Sequence, residues 1–375
     1  MKRVIGIIMC FVLVAGLLAA CNSGAPAPSN APPASGAPAS NAPPASSAPP
    51  ASSAPPSSAP PASSQPPAPL AAPAGGGPIK VGIVNNPPAE SGYRAANVAD
   101  MERVFCAANG YDAGMQYSIS NDDQLNYARG FINDGVDYLL ISAAETVGWD
   151  AVLKDANEAG IKVFLFDRML DVPINLYEAA VVSDMANQGK LAMEWLKAQN
   201  LPRYDVIHIQ GAMGSDAQLG RTGAFDAEVA AGRMNKVFQQ SATWDEGVAK
   251  EIVESVIASQ GRDSFNIIYA ENDGMAAGAV AALQDAGISH GVNGDVIIIG
   301  VDANKWALRE VIAGNWNLDL QCSPFQADVI HGFIQQLEAG QSISVPADKK
   351  VISEERYFDA ATITEAEIAQ YGLGD

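Results

Sequence analysis

The chain has 375 residues, with 42 acidic and 22 basic side chains and a formal charge of −20. Residues 22–78 hold no charged side chain and 18 of the 24 prolines, which leaves 79–375, a stretch of 297 residues with a net charge of −22, for globular structure. A surface this acidic is repelled by phosphate backbones and anionic lipid, which excludes a nucleic-acid partner. Four cysteines do not make a disulfide scaffold, because a chain of this size buries a core without staples. His208, His290, His331 and the cysteines lack metal-ligand spacing, so no metal is expected.

The chain opens on Met1-Lys2-Arg3 and an almost wholly apolar run from Val4 to Leu18, the form of a signal-peptide core. Leu18-Ala19-Ala20-Cys21 follows. Small residues ahead of a cysteine resemble the lipobox of bacterial lipoproteins, which implies removal of 1–20 and lipidation of Cys21. A plain signal peptide and a membrane anchor are the alternatives, the apolar run being short for a spanning helix. Of the thiols left, Cys106 and Cys322 form either two free groups or one bridge, and free thiols are the reading adopted. Residues 21–78, which repeat Ala-Pro-Pro-Ala-Ser-Ser with variations, bury too little apolar surface to order themselves. They read as a semi-rigid polyproline spacer, at ~3.1 Å per residue reaching on the order of 170 Å.

From 79 onward strands alternate with helices. Strands are expected at 79–84, 115–119, 138–141 and 162–166, with helices at 93–109, 122–134 and 147–159. After Asp184 the alternation resumes. Helices are expected at 185–198, 215–230, 245–259 and 275–285, with strands at 205–209, 236–239, 265–269 and 295–300. Continuous apolar strands joined by helical crossovers mark parallel sheets covered on both faces. Strand, helix, Ala159-Gly160-Ile161, strand and Asp167 form one series. Strand, helix, Ala286-Gly287-Ile288, strand and Asp302 form another. The fold class is therefore α/β, with two doubly wound lobes.

Open α/β sheets bind ligands beyond the carboxyl ends of their strands. Asp167-Arg168, Asn272-Asp273, Asp302 and Gln321 all stand at such ends. Carboxylates accept hydroxyl protons, while guanidinium and amide groups donate in fixed planes. A polyhydroxylated ligand needs that mixture, because each buried hydroxyl must be paired. Tyr93, Trp149 and Trp244 lie in or just after loops of the same type and offer aromatic faces to C–H groups. Any one of these positions is equally an ordinary cap or loop ion pair; their recurrence over four strand ends carries the argument.

Several motifs in order then match a family. They are Glu90-Ser91-Gly92-Tyr93-Arg94-Ala95-Ala96, Gly148-Trp149, Leu165-Phe166-Asp167-Arg168, Gln210-Gly211 through Arg221 to Phe225, Tyr269-Ala270-Glu271-Asn272-Asp273, and Ile298-Ile299-Gly300-Val301-Asp302. Over 79–375 the chain resembles the type I periplasmic sugar-binding proteins of ABC importers, and within them the galactofuranose-binding subgroup. The resemblance implies two lobes joined by a three-strand hinge, at 79–183 plus 322–350 and 184–321 plus 351–375. It implies that Asp167 and Arg168 bond sugar hydroxyls and the ring oxygen from the first lobe. Arg221, Asn272 and Asp302 would reach in from the second, Trp244 would line the cleft, and Gln321 would sit at the crossing between lobes. Glu90, Tyr93, Arg94, Trp149 and Asp273 complete the expected ligand-binding set. Tyr93 stands where the subgroup has tryptophan. The implied ligand is a neutral aldose such as galactose in furanose form, with arabinose or xylose behind it.

A G-x-S-x-G elbow, a G-x-G-x-x-G after the first strand and a P-loop are all missing, so no catalytic residue and no cofactor are expected. A repressor on this architecture would need a DNA-binding head where the leader and spacer stand. The expectation is a monomeric extracytoplasmic binding protein, held to the membrane by lipid alone, that delivers a monosaccharide to an ABC permease. The alternative is a sensor presenting the sugar to a chemoreceptor or histidine kinase.

Overall fold

The computed structural model describes residues 77–374. The expected leader at 1–20, Cys21 and all but the last two residues of the spacer lie outside the described residues. In chain order the first elements are β1 (Ile79–Asn85), α1 (Gly92–Val104), β2 (Tyr111–Tyr117), α2 (Asn121–Asp134), β3 (Tyr138–Ile141), α3 (Asp150–Glu158), β4 (Lys162–Asp167) and β5 (Ala179–Val182). Then come α4 (Met185–Ala198), β6 (Asp205–Gln210), α5 (Asp216–Ala230), β7 (Asn235–Ser241), α6 (Glu246–Gln260), β8 (Ile267–Ala270), α7 (Asp273–Asp285), β9 (Ile297–Asp302), α8 (Lys305–Ile312) and β10 (Leu318–Gln321). The chain closes with α9 (Ala327–Glu338), β11 (Lys350–Ile352), β12 (Tyr357–Asp359) and α10 (Glu365–Tyr371).

These strands form two six-stranded sheets, in the orders β11-β5-β4-β3-β1-β2 and β12-β10-β9-β8-β6-β7. All pairs of the first sheet are parallel. The second differs only in its edge, where β12 runs antiparallel to β10. The central strands are buried on both faces because helices cover each sheet on both sides. The order carries the chain between sheets three times: from β5 to α4, from β10 to α9, and from β11 to β12. The third passage comes after Ile352, so the lobe boundary drawn at 350/351 falls inside a strand.

Local chemistry accounts for the boundaries that sequence patterning blurred. Helix α1 stops at Val104 instead of continuing to 109, because Phe105 leaves helical geometry at φ −88°, ψ 64°. A short 3-10 turn then leads to left-handed Gly110, and β2 begins at once. Ser91, Ser120, Asp184, Ser215, Asp245 and Asn272 each accept a hydrogen bond from a first-turn amide, the usual way to satisfy a helix N-terminus. Strand β1 runs past α2 with little clearance. A Cβ on Gly82 would stand 2.4 Å from Cγ of Phe131.

That contact yields a stability test. Gly82→Ala should destabilise the protein by about 1–3 kcal/mol, the usual cost of overpacking a filled core. Combining it with Phe131→Leu should recover part of the loss, and denaturant unfolding of the single and double variants measures both. Strictly additive losses would show that the two positions do not compete for space.

Candidate functional site

The first wall of the cleft is organised by a buried carboxylate at the end of β4. Asp167 is 1% exposed, and its backbone sits at φ 64°, a left-handed conformation that a non-glycine residue adopts only when its surroundings enforce it. Arg94 Nη2 donates to Oδ2 at 2.6 Å, Ser142 Oγ to Oδ2 at 2.7 Å and Tyr93 Oη to Oδ1 at 2.7 Å. Burial alone would raise the Asp167 pKa. The charges of Arg94 and Arg168 and the hydrogen bonds from Ser142 and Tyr93 outweigh it and bring the group down to about 2. Arg168 follows at once, its Nη1 donating to the Ala143 carbonyl at 3.2 Å. Its Nε faces Asp167 across 3.5 Å and has no hydrogen-bond acceptor.

The second wall is built from the ends of β6 to β10. Arg221, on α5, is 2% exposed. Its Nε donates to Gln188 Oε1 at 2.9 Å, and its Nη1 donates to the Glu271 carbonyl. The Glu271 side chain fixes the loop after β6. It accepts from the Gly211 amide at 2.7 Å and Thr222 Oγ1 at 2.6 Å, and it meets His208 Nε2 at 3.0 Å. Lys236 Nζ donates to Gln239 Oε1, so the Gln239 amide nitrogen donates to His208 Nδ1 and His208 Nε2 carries the proton toward Glu271. Trp244, at φ 69°, lies flat on this loop. A Cβ on Gly211 would stand 1.9 Å from the indole, so only glycine admits the ring. Asn272 caps α7 through its Oδ1, leaving its amide nitrogen free to donate. Asp302, at φ 129°, turns into the cleft, and among the described residues no donor reaches its carboxylate. Burial first, and Asp273 second, raise its pKa well above the ordinary range, against Arg221.

These walls meet around a small cavity lined by Glu90, Ser91, Tyr93, Asp167, Arg168, Met185, Ala217, Arg221, Trp244, Asn272, Asp302 and Cys322. The lobes touch beside it. The Met169 amide donates to Asp216 Oδ2 at 2.9 Å and the Thr146 amide to the Gly214 carbonyl at 3.1 Å. The Arg168 guanidinium stands 5.7 Å from the Trp244 ring centroid, close enough for cation–π attraction. The lining ionisable groups are of both kinds: Glu90, Asp167 and Asp302 beside Arg168 and Arg221.

Four expected residues stand elsewhere. Arg94 is fully buried behind the wall. Besides Asp167 it bonds Asn85 Oδ1 at 2.8 Å, Asn97 Oδ1 at 3.0 Å and Glu90 Oε2 at 3.2 Å, so it positions acceptors and has no donor to spare for the cavity. Trp149 is 0% exposed in an apolar cluster with Leu125, Ile141 and Leu165, its Nε1 donating to the Glu145 carbonyl. Asp273 lies under the floor, accepting from the Asn304 amide and side chain at 2.9 Å each. Gln321 does not line the cavity, and its Oε1 is buried without a protein donor. Ser91, Met185, Ala217 and Cys322 line the site without having been singled out. Cys322 and Cys106 are free thiols, and burial pushes the Cys322 thiol up to about 12.

The periplasmic binding protein domain family matches residues 81–330. The chain belongs to the periplasmic binding protein family. A galactofuranose-binding protein of Escherichia coli is 32% identical, over 69% of this chain and 80% of its own length. A fructose import binding protein of Bifidobacterium longum is 29% identical, over 74% of this chain and 84% of its own. The binding protein of an arabinose ABC transporter from Shewanella sp. ANA-3, solved with α- and β-L-arabinofuranose, is 25% identical with a TM-score of 0.71. That likeness covers 78% of this chain and 95% of that one. These relatives are binding proteins and not enzymes, and so is this chain.

This periplasmic binding protein carries a further acidic pair beneath its cleft. Asp273 and Asp319 are both 0% exposed. Asp273 Oδ1 and Asp319 Oδ2 are buried without a hydrogen-bond donor among the described residues. Two neighbouring buried carboxyl groups favour keeping a proton over carrying two charges. Burial, then mutual repulsion for Asp273 and the charge of Asp302 for Asp319, hold both pKa values well above the usual carboxylate range. Native carboxyls with raised pKa keep protons that the unfolded chain releases above about pH 4, so this pair lowers stability as pH rises. Asp319→Asn removes one of the two titrating groups. The variant should melt like wild type near pH 4 and at a higher temperature by pH 8, with a flatter profile between. Thermal denaturation from pH 4 to 8 measures it, and an unchanged slope would show that the pair does not hold a proton in the folded chain.

Proposed function

We propose that this chain is an extracytoplasmic binding lipoprotein that encloses one neutral monosaccharide in furanose form between its lobes and delivers it to an ABC permease. The observation that carries the reading is the composition of the closed cavity. Its donors and acceptors are densely paired, and its charges nearly cancel. A sugar phosphate or sugar acid calls for an unpaired basic excess, whereas of the two lining cations Arg168 faces Asp167 and Arg221 is taken up by Gln188 and the Glu271 carbonyl. What is left over suits hydroxyls. Asp302 offers a carboxyl group with no protein donor, and Asn272 offers an amide. Trp244 Nε1 and Arg168 Nε are buried N–H groups without acceptors. The indole of Trp244 supplies an apolar face for ring C–H groups. Binding of galactofuranose and L-arabinofuranose by relatives supports the five-membered ring.

Ligand capture then follows from geometry. Asp167 and Arg168 belong to one lobe and Arg221, Asn272 and Asp302 to the other, so a sugar bonded to both walls favours the closed arrangement over the open one. The permease would read that closed arrangement, and lipid on Cys21 with the spacer at 21–78 would keep the protein at the membrane. The chain boundaries of the lobes in this reading are 79–183 with 322–350 and 184–321 with 351–375, apart from the end of β11.

A panel of D-galactose, L-arabinose, D-xylose, D-fructose, a sugar phosphate and an amino acid, read by calorimetry, tests the ligand class. Tight binding to one or a few neutral sugars is expected, and binding only to the charged compounds would overturn the reading. With the sugar that binds, Asp302→Ala should weaken affinity by about five- to a hundredfold, the ~1–3 kcal/mol cost of leaving a buried hydroxyl without its partner. Cys21→Ser tests the anchor in a separate way. The variant should be shed into the medium or left unprocessed, and a mature-sized protein that stays on the membrane would refute lipidation.

A further inference from the structure

The three passages between lobes are tied together by one side chain. Ser183 lies on the first passage, Ser323 on the second and Glu355 on the third. Glu355 Oε1 accepts from Ser183 Oγ at 2.6 Å and from the Ser323 amide at 2.8 Å. Its Oε2 accepts from Gln188 Nε2 at 2.6 Å. The carboxylate is thus shared by every strand of chain that must bend when the cleft opens. Gln188 continues the chain of bonds. Its amide oxygen accepts from Arg221 Nε at 2.9 Å, and its amide nitrogen also reaches the Gln321 carbonyl at 3.4 Å. Arg221 lines the cavity. An unbroken path of hydrogen bonds therefore leads from a cavity guanidinium to the hinge.

We propose that Glu355 is the residue that sets the closed geometry of the hinge, and that Gln188 couples it to Arg221 and so to the occupant of the cleft. Glu355 is a positioning residue: it does not line the cavity, and it acts by holding Ser183, Ser323 and Gln188 in the register in which both walls face one ligand. Hinge passages that carry no mutual contact bend independently. Three passages bonded to one carboxylate bend together, so opening must break or exchange those bonds at once. The titratable groups that face Glu355 are Arg221 from α5, whose charge favours its ionised form, and the uncharged Cys322 thiol on the second passage. Burial opposes ionisation, and the donors Ser183, Ser323 and Gln188 oppose burial.

The affinity arm of the test rests on the sugar-binding reading above, and the distance arm does not. Spin labels at Asp122→Cys and Glu246→Cys, exposed first-turn residues of α2 and α6 on opposite lobes, report the width of the cleft in a full chain that carries Cys10→Ser, Cys21→Ser and Cys106→Ser and keeps only the buried Cys322. Glu355→Ala and the milder Glu355→Gln should widen the ligand-free distance distribution relative to the parent, the alanine variant more. Both should weaken the sugar that the panel identifies, the alanine variant by at least about tenfold, one charged hydrogen bond's worth. A role in fold stability alone would lower the melting temperature and leave distance and affinity at parent values. That outcome, in either variant that melts cooperatively, overturns the proposal. Should the panel yield no ligand, the furanose reading fails by itself, and the distance distributions alone decide the role of Glu355.

Discussion

A carboxylate taken out of water has to be met by charge and hydrogen bonds, and the first lobe is arranged around meeting one. Asp167 receives Arg94, Ser142 and Tyr93 at 2.6–2.7 Å. Those donors come from two separate elements. Tyr93 and Arg94 open α1, Ser142 follows β3, and Asp167 itself ends β4. The bonds pull these carboxyl-terminal ends into one wall. Arg94 then recruits Asn85 from β1 and Asn97 from α1, and Asn97 donates to the Pro324 carbonyl and Gln326 on the second hinge passage. Losing Asp167 would leave a buried guanidinium short of its main counter-charge, a costlier state than losing both partners.

The second lobe meets the same constraint in another way. Glu271 is paired with the His208 imidazole, a hydroxyl and a backbone amide, so it braces the Gly211 loop. Asp273 and Asp319 have no cation beside them, and burial holds both pKa values up. Asp302 alone keeps an acceptor free toward the cleft. The polar residues of this wall thus divide into those that hold the shape and those that are left for a ligand. Residue type does not reveal the division.

That division also separates what could be read in the sequence from what could not. The apolar runs of β1, β3, β4, β6, β8 and β9 announce themselves, because strands covered on both faces are apolar throughout. Their polar terminal residues point to the cleft for the same reason. Strand β5 is four small or branched residues after an irregular stretch, and β11 and β12 are three residues each, too short to carry a pattern. Arg94 and Tyr93 are neighbours in sequence, yet successive helical residues point about 100° apart, so one reaches the cavity and the other its support. Trp149 follows a loop glycine like a cleft aromatic but drops into the core. Cys322, one step past the strand-end Gln321, lines the cavity in its place. The side to which each residue faces depends on the positive φ of Asp167, Trp244 and Asp302, and no spacing rule encodes that.

Trp244 rests on the Gly211 backbone of the second lobe, while Arg168, the cation over its face, comes from the first. The pair exists only while the lobes are together. Parting the lobes would take the Arg168 guanidinium from one face of the indole, leave Arg221 of the same lobe 6.0 Å from the ring, and keep Trp149 and Trp316 in their separate cores. Trp244 would then act as an intrinsic optical reporter of the lobe arrangement, placed by the packing of a glycine loop against an aromatic ring.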